Sequence, residues 1–95
     1  MIADFEARVL TLIDEMVEHG SDDELFAGGY LRGHLTLAVA QAQEKGDTTL
    51  TQLDMRVRHS LVKAIKAGEL APADQVLVLG LWQRLYQTAL LELEE

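Results

Sequence analysis

Few side chains in this sequence could do chemistry. There are three histidines (His19, His34 and His59), two serines (Ser21 and Ser60) and no cysteine. The missing thiol excludes disulfides, thiolate metal sites and cysteine nucleophiles. Glu15 and His19 stand one helical turn apart, and a carboxylate with an imidazole can ligate a metal. A di-metal centre in a helical bundle, however, needs Glu-x-x-His on two helices and glutamates from the others, and that pattern is missing. His19 reads instead as a cation beside C-terminal helix carbonyls, and no metal or cofactor is expected. Ser21 reads as a helix cap. Ser60 adjoins His59, but sequence neighbours on a helix diverge, so no triad and no catalytic residue is assigned.

Two groups of residues invite a binding role. Tyr30, Arg32 and His34 could surround a small anion or metabolite, with the Arg32 guanidinium offering its fork of donors. The plainer reading has Tyr30 packed with its hydroxyl at the rim and Arg32 paired to one of sixteen acidic residues. Arg56, His59, Lys63 and Lys66 follow one another at steps of three, four and three, so they line one side of a helix. Such a strip could dock an acidic partner; the plainer reading is a solvated face. Trp82 and Tyr86, one turn apart, read as core or interface anchors.

These residues are carried by four amphipathic segments. In the first, Ile2, Phe5, Val9, Leu12, Ile13, Met16 and Val17 recur at steps of three and four, and Gly20 stands where a left-handed cap belongs. Ser21 with Glu24 forms a capping box that opens the second segment, reinforced by Asp22 and Asp23. Its apolar set is Leu25, Phe26, Tyr30, Leu31, Leu35, Leu37 and Val39. Gly28 and Gly29 either kink or break this helix or leave a single helix with a perturbed start, which is the favoured form. Glycine costs about 1 kcal/mol against alanine inside a helix, so the run Gly28, Gly29 and Gly33 implies close packing of another backbone.

Gly46 closes the second segment, and Thr49 with Gln52 offers a second capping box, with Asp47 or Thr48 as alternative caps. Leu50, Leu53, Val57, Leu61, Ala64 and Ile65 form the third apolar stripe, ended by Gly68. Pro72, the only proline, suits the first position of the fourth helix, which runs through Trp82 to Leu93. The turns are short, so consecutive helices should pack antiparallel. The expected fold is all-α: one domain, residues 1–95, an up-and-down four-helix bundle.

Composition narrows the function classes. Of 95 residues, 48% are apolar and 25% charged, which suits one small globular domain rather than a disordered chain. The formal net charge of −8 repels phosphate backbones and argues against nucleic acid. No stretch has the 18 or so uninterrupted apolar residues of a membrane span. The acidic start, with no basic region ahead of an apolar stretch, leads to the expectation of a cytoplasmic protein.

The segment Ser21-Asp22-Asp23-Glu24-Leu25-Phe26-Ala27-Gly28-Gly29-Tyr30-Leu31-Arg32-Gly33-His34-Leu35-Thr36-Leu37-Ala38 resembles the signature stretch of the YfcL family of small bacterial proteins. Met1-Ile2-Ala3-Asp4-Phe5-Glu6 and Lys63-Ala64-Ile65-Lys66-Ala67-Gly68-Glu69-Leu70-Ala71-Pro72 are similar to it too, so the likeness spans nearly the whole chain. It implies a helical bacterial protein and carries over no activity and no site residues. The expected role is that of a small acidic, non-enzymatic protein-protein interaction module, with self-association as a homodimer one form of it. Its contact elements would be residues 28–34 and the Arg56, His59, Lys63, Lys66 face. The alternative is a small-anion binding protein built on Tyr30, Arg32 and His34.

Overall fold

The computed structural model describes residues 1–94, which form four helices: α1 (Ile2–His19), α2 (Asp22–Lys45), α3 (Leu50–Lys66) and α4 (Pro72–Glu94). No strand occurs among the described residues. Both capping boxes form. Ser21 Oγ accepts the Glu24 N–H at 3.2 Å while Glu24 Oε1 accepts the Ser21 N–H at 3.1 Å, and Thr49 and Gln52 repeat the arrangement at the start of α3. Pro72 is the first residue of α4, as its fixed φ and missing N–H favour. Gly46 and Gly68 take positive φ values of 76° and 80°, ending α2 and the turn after α3.

The glycines inside α2 do not interrupt it. The helix is continuous through Gly28 and Gly29, which agrees with the favoured single helix and removes the alternative of a kink or break. Gly20 also differs from expectation: it is extended, at φ −83° and ψ 159°, rather than left-handed. Its reason is space. A Cβ there would lie 2.5 Å from the Met16 carbonyl oxygen, the group that accepts the Gly20 N–H at 2.6 Å.

The all-α four-helix bundle holds, with an uneven arrangement. α2 is the central element and packs against all three others; α4 lies mainly on α1 and α2 and touches α3 less. The Cα extents of 33 × 31 × 16 Å make the molecule a slab about two helix layers thick. The core between the layers is formed by Phe5, Val9, Leu31, Leu35, Leu53, Val57, Leu61, Val78 and Trp82. Phe5 meets the edges of Trp82 and Tyr86 at centroid distances of 6.4 and 5.4 Å, joining α1 to α4. The Trp82 indole N–H donates to Asp54 Oδ1 at 2.7 Å, pinning α4 to α3. No helix among the described residues is long and apolar enough to cross a membrane.

Candidate functional site

Tyr30 and His34 share the side of α2 that faces α3, one turn apart, with ring centroids 4.7 Å from each other. Phe26 continues the row a turn earlier, 6.0 Å from Tyr30. Each polar tip finds a partner beyond α2. The Tyr30 hydroxyl donates to Glu69 Oε1 at 2.8 Å, and His34 Nδ1 lies 2.6 Å from Ser60 Oγ. Burial, then the bond to Glu69, pushes the Tyr30 phenol up to about 12, so it stays a donor. Burial pulls His34 below its ordinary value, against the opposing charge of Glu69. A neutral imidazole can share one hydrogen bond with the Ser60 hydroxyl through Nδ1, its direction set by the tautomer.

Arg32 is not part of this row. Two residues from Tyr30 on a helix is about 200° of rotation, and Arg32 reaches the opposite flank of α2, donating to Asp14 Oδ1 of α1 at 2.8 Å. Tyr30 and His34 are brought together and Arg32 is separated from them. The expected anion cleft therefore splits into two unrelated contacts. Sequence reasoning missed the roles of Ser60, brought to α2 by the packing of α3, and of Glu69, brought there by the α3–α4 turn.

The strip on α3 is also divided. Arg56 is half-buried and ion-paired with Asp47 in the α2–α3 turn, which holds the Asp47 carboxyl below the usual carboxylate range. His59, Lys63 and Lys66 remain exposed. All five arginines form ion pairs with carboxylates of the chain: Arg8 with Glu92, Arg32 with Asp14, Arg56 with Asp47, Arg58 with Asp54 and Arg84 with Glu24. Lys45, Lys63 and Lys66 form none among the described residues. The free positive charge of α3 is thus His59, when protonated, with Lys63 and Lys66.

The apolar residues of α2 fall on two faces. Ala27, Leu31, Leu35, Ala38 and Ala42 face the core, at steps of four, four, three and four. Phe26, Gly29, Gly33, Leu37 and Ala40 form a second row at steps of three, four, four and three. Phe26 and Leu37 in it are 46% and 52% exposed. Gly29 and Gly33 have nothing within 4 Å of where a Cβ would stand, so the expected backbone packing is absent from them. Gly28 alone receives a neighbour, and it is a side chain: its Cβ position is 3.3 Å from Ile13 Cγ2 of α1. The signal for this second face was available, because Phe26 and Leu37 are out of register with Leu31 and Leu35.

Two shallow grooves flank this arrangement. One of about 380 Å³ runs between the end of α2 and α3 and includes Gln41, Met55, Arg56 and His59. Another, of about 320 Å³, lies between α1 and α4 and includes Glu15, His19, Glu24 and Arg84. A smaller one on the α1 side of the open face is lined by Asp14, Val17, Leu25, Gly29 and Arg32.

A family model described as YfcL protein matches residues 3–87. A protein of Escherichia coli (strain K12) named Uncharacterized protein YfcL is 57% identical over 89 residues, covering 94% of this chain and 97% of its own length. No solved structure matches.

Proposed function

The chain belongs to the YfcL family, and from that footing we propose that it is a small, non-enzymatic protein-protein interaction module of the cytoplasm whose contact surface is the open face of α2. One observation carries the reading. The central helix of the slab bears a second apolar row, and nothing among the described residues covers it. Burying large apolar side chains is worth about 1.5–3 kcal/mol each, and leaving Phe26 and Leu37 in water forgoes part of that. Val17 and Leu25, 62% and 39% exposed, border the row on the α1 side and widen it. Exposed apolar side chains grouped on one side of a helix in this way support an interaction site.

Binding rather than catalysis is supported by the state of the polar groups. Tyr30, Arg32, His34 and Arg56 are each satisfied by a partner within the chain. The partner class is protein, since the net charge of −8 repels nucleic acid.

A photo-crosslinking amino acid placed at Leu37 tests this in cells, with the same residue at Leu91 on α4 as control. Both positions are exposed, at 52% and 61%. A discrete protein adduct at position 37 and none at 91 is expected. Equal labelling at both positions, or no adduct at 37, overturns the reading.

A further inference from the structure

The two sides of the open face carry opposite net charge, although each also holds one ion of the other sign: Arg32, paired with Asp14, on the α1 side and Glu69, bonded to Tyr30, on the α3 side. On the α3 side stand His59, Lys63 and Lys66, all exposed. On the α1 side stand Asp14 and, one turn on, Glu18, with side chains 64% and 75% exposed. Their positions along the slab also match. Asp14 is level with Arg32 of α2, and Ser60 is level with His34. Both flanking helices run antiparallel to α2. Counting along them, Lys63 falls level with about residue 31 of α2 and Lys66 with about residue 28, beside Asp14 at residue 32 and Glu18 at about residue 28.

Resting on the contact-surface reading above, we propose that the occupant of the open face is a second copy of this chain, stacked face to face about a twofold axis parallel to α2. That operation exchanges left and right and keeps the level along the helix. It lays α3 of one protomer over α1 of its partner, so Lys63 and Lys66 meet the partner's Asp14 and Glu18, twice per dimer. A twofold axis across the helices would instead set α3 on α3 and α1 on α1, bringing like charges together, which is costly. Within a pair of identical chains, charge therefore selects this orientation over the crossed one.

Shape and size agree with this arrangement. An isologous interface uses one patch twice, so the patch must complement itself. Gly29 and Gly33 leave open space at the centre of the row, which lets the two α2 helices approach closely there. Phe26 and Leu37, exposed in the single chain, bracket that space, and in the pair each would be buried against its own counterpart. The broad side of the slab, 33 × 31 Å in Cα extent, spans on the order of 1,000 Å², enough for the ~800 Å² per partner of a standard interface.

Sedimentation equilibrium over micromolar to millimolar concentrations tests the proposal with four samples. These are the wild type, Lys63→Glu/Lys66→Glu, Asp14→Lys/Glu18→Lys, and an equimolar mixture of the two variants. Circular dichroism verifies that each variant folds; should the Asp14 change disturb the pair with Arg32, Glu18→Lys alone takes its place. The wild type should weigh twice the chain mass. Each variant alone should lose dimer affinity about tenfold or more, since like charges now face each other. The mixture should recover the dimer, because both charge contacts are restored in the heterodimer. A wild type that stays monomeric, a dimer indifferent to both variants, or a mixture that stays monomeric overturns the proposal. A monomeric wild type whose crosslinker at position 37 captures a different protein sinks the homodimer and leaves the contact-surface reading standing. A monomer that captures nothing sinks both.

Discussion

His34 Nδ1 lies 2.6 Å from Ser60 Oγ, and through this contact the middle of α2 is fastened to the middle of α3. The imidazole is half-buried, and burial is what holds its pKa below the ordinary 6.5. The folded chain therefore binds fewer protons here than the unfolded chain at mildly acidic pH. Stability from this group is present above pH 6.5 and is lost as pH falls through the lower folded value. The melting temperature should decline on going from pH 7.5 to pH 5.5. His34→Gln, which cannot titrate, should flatten that limb. An unchanged slope in the variant would remove His34 as its origin.

A second acid limb should be separate from the first. The hydrogen bond from Arg56 holds Asp47 below its usual 3.8, and the bond from Arg8 holds Glu92 below 4.5. These depressed carboxylates contribute stability above those values and lose it as pH drops through the folded ones. Asp47→Asn/Glu92→Gln should weaken the dependence of melting temperature on pH below about 4.5 and leave the His34 limb intact. Added salt should shrink the Glu92 part of the difference more than the Asp47 part, because the Arg56–Asp47 pair is the less exposed of the two.

Asp54 serves two helices at once. It accepts the Trp82 indole N–H at 2.7 Å and the Arg58 guanidinium at 2.9 Å. Trp82 is almost fully buried, so Trp82→Phe removes both volume and a charge-assisted hydrogen bond, at a cost of about 2 kcal/mol. Asp54→Ala leaves the indole N–H without its acceptor and should cost about 1–3 kcal/mol. Urea unfolding gives both values. The double variant should cost less than the two singles together, since they share one bond.

The sequence makes the scaffold legible where local chemistry decides it. Ser21 with Glu24, Thr49 with Gln52, and Pro72 each fix a helix start, and all three do so in the structure. The third stripe, Leu53, Val57 and Leu61, is buried as its spacing requires. What misled was α2, where one list of apolar residues hides two rows. Leu31 and Leu35 are core, whereas Phe26 and Leu37 look out. Position along the chain also misgroups Arg32 with Tyr30 and His34, because three alternate residues on a helix cannot share a face. Ser60 and Glu69 join the site from 26 and 39 residues away, a relationship set by packing alone.

The four glycines at and near the start of α2 should respond to alanine in opposite ways. At Gly29 and Gly33 a methyl group would meet nothing within 4 Å, so the higher helix propensity of alanine should stabilise the monomer by about 0.5–1 kcal/mol at each. At Gly28 the same gain is opposed by crowding against Ile13 Cγ2 at 3.3 Å, and the net change should lie near zero. At Gly20 the methyl would fall 2.5 Å from the Met16 carbonyl oxygen, within backbone that cannot yield cheaply; a loss of about 1–3 kcal/mol is expected. Chemical denaturation of dilute protein measures all four. The same variants measured by sedimentation separate folding from contact. If Gly29 and Gly33 are retained for close approach of a second copy, Gly29→Ala/Gly33→Ala should melt higher as a monomer and associate more weakly. Stability gained together with association lost would mean that these glycines serve the contact and cost the fold. Higher stability with association unchanged would place the dimer contact elsewhere on the molecule.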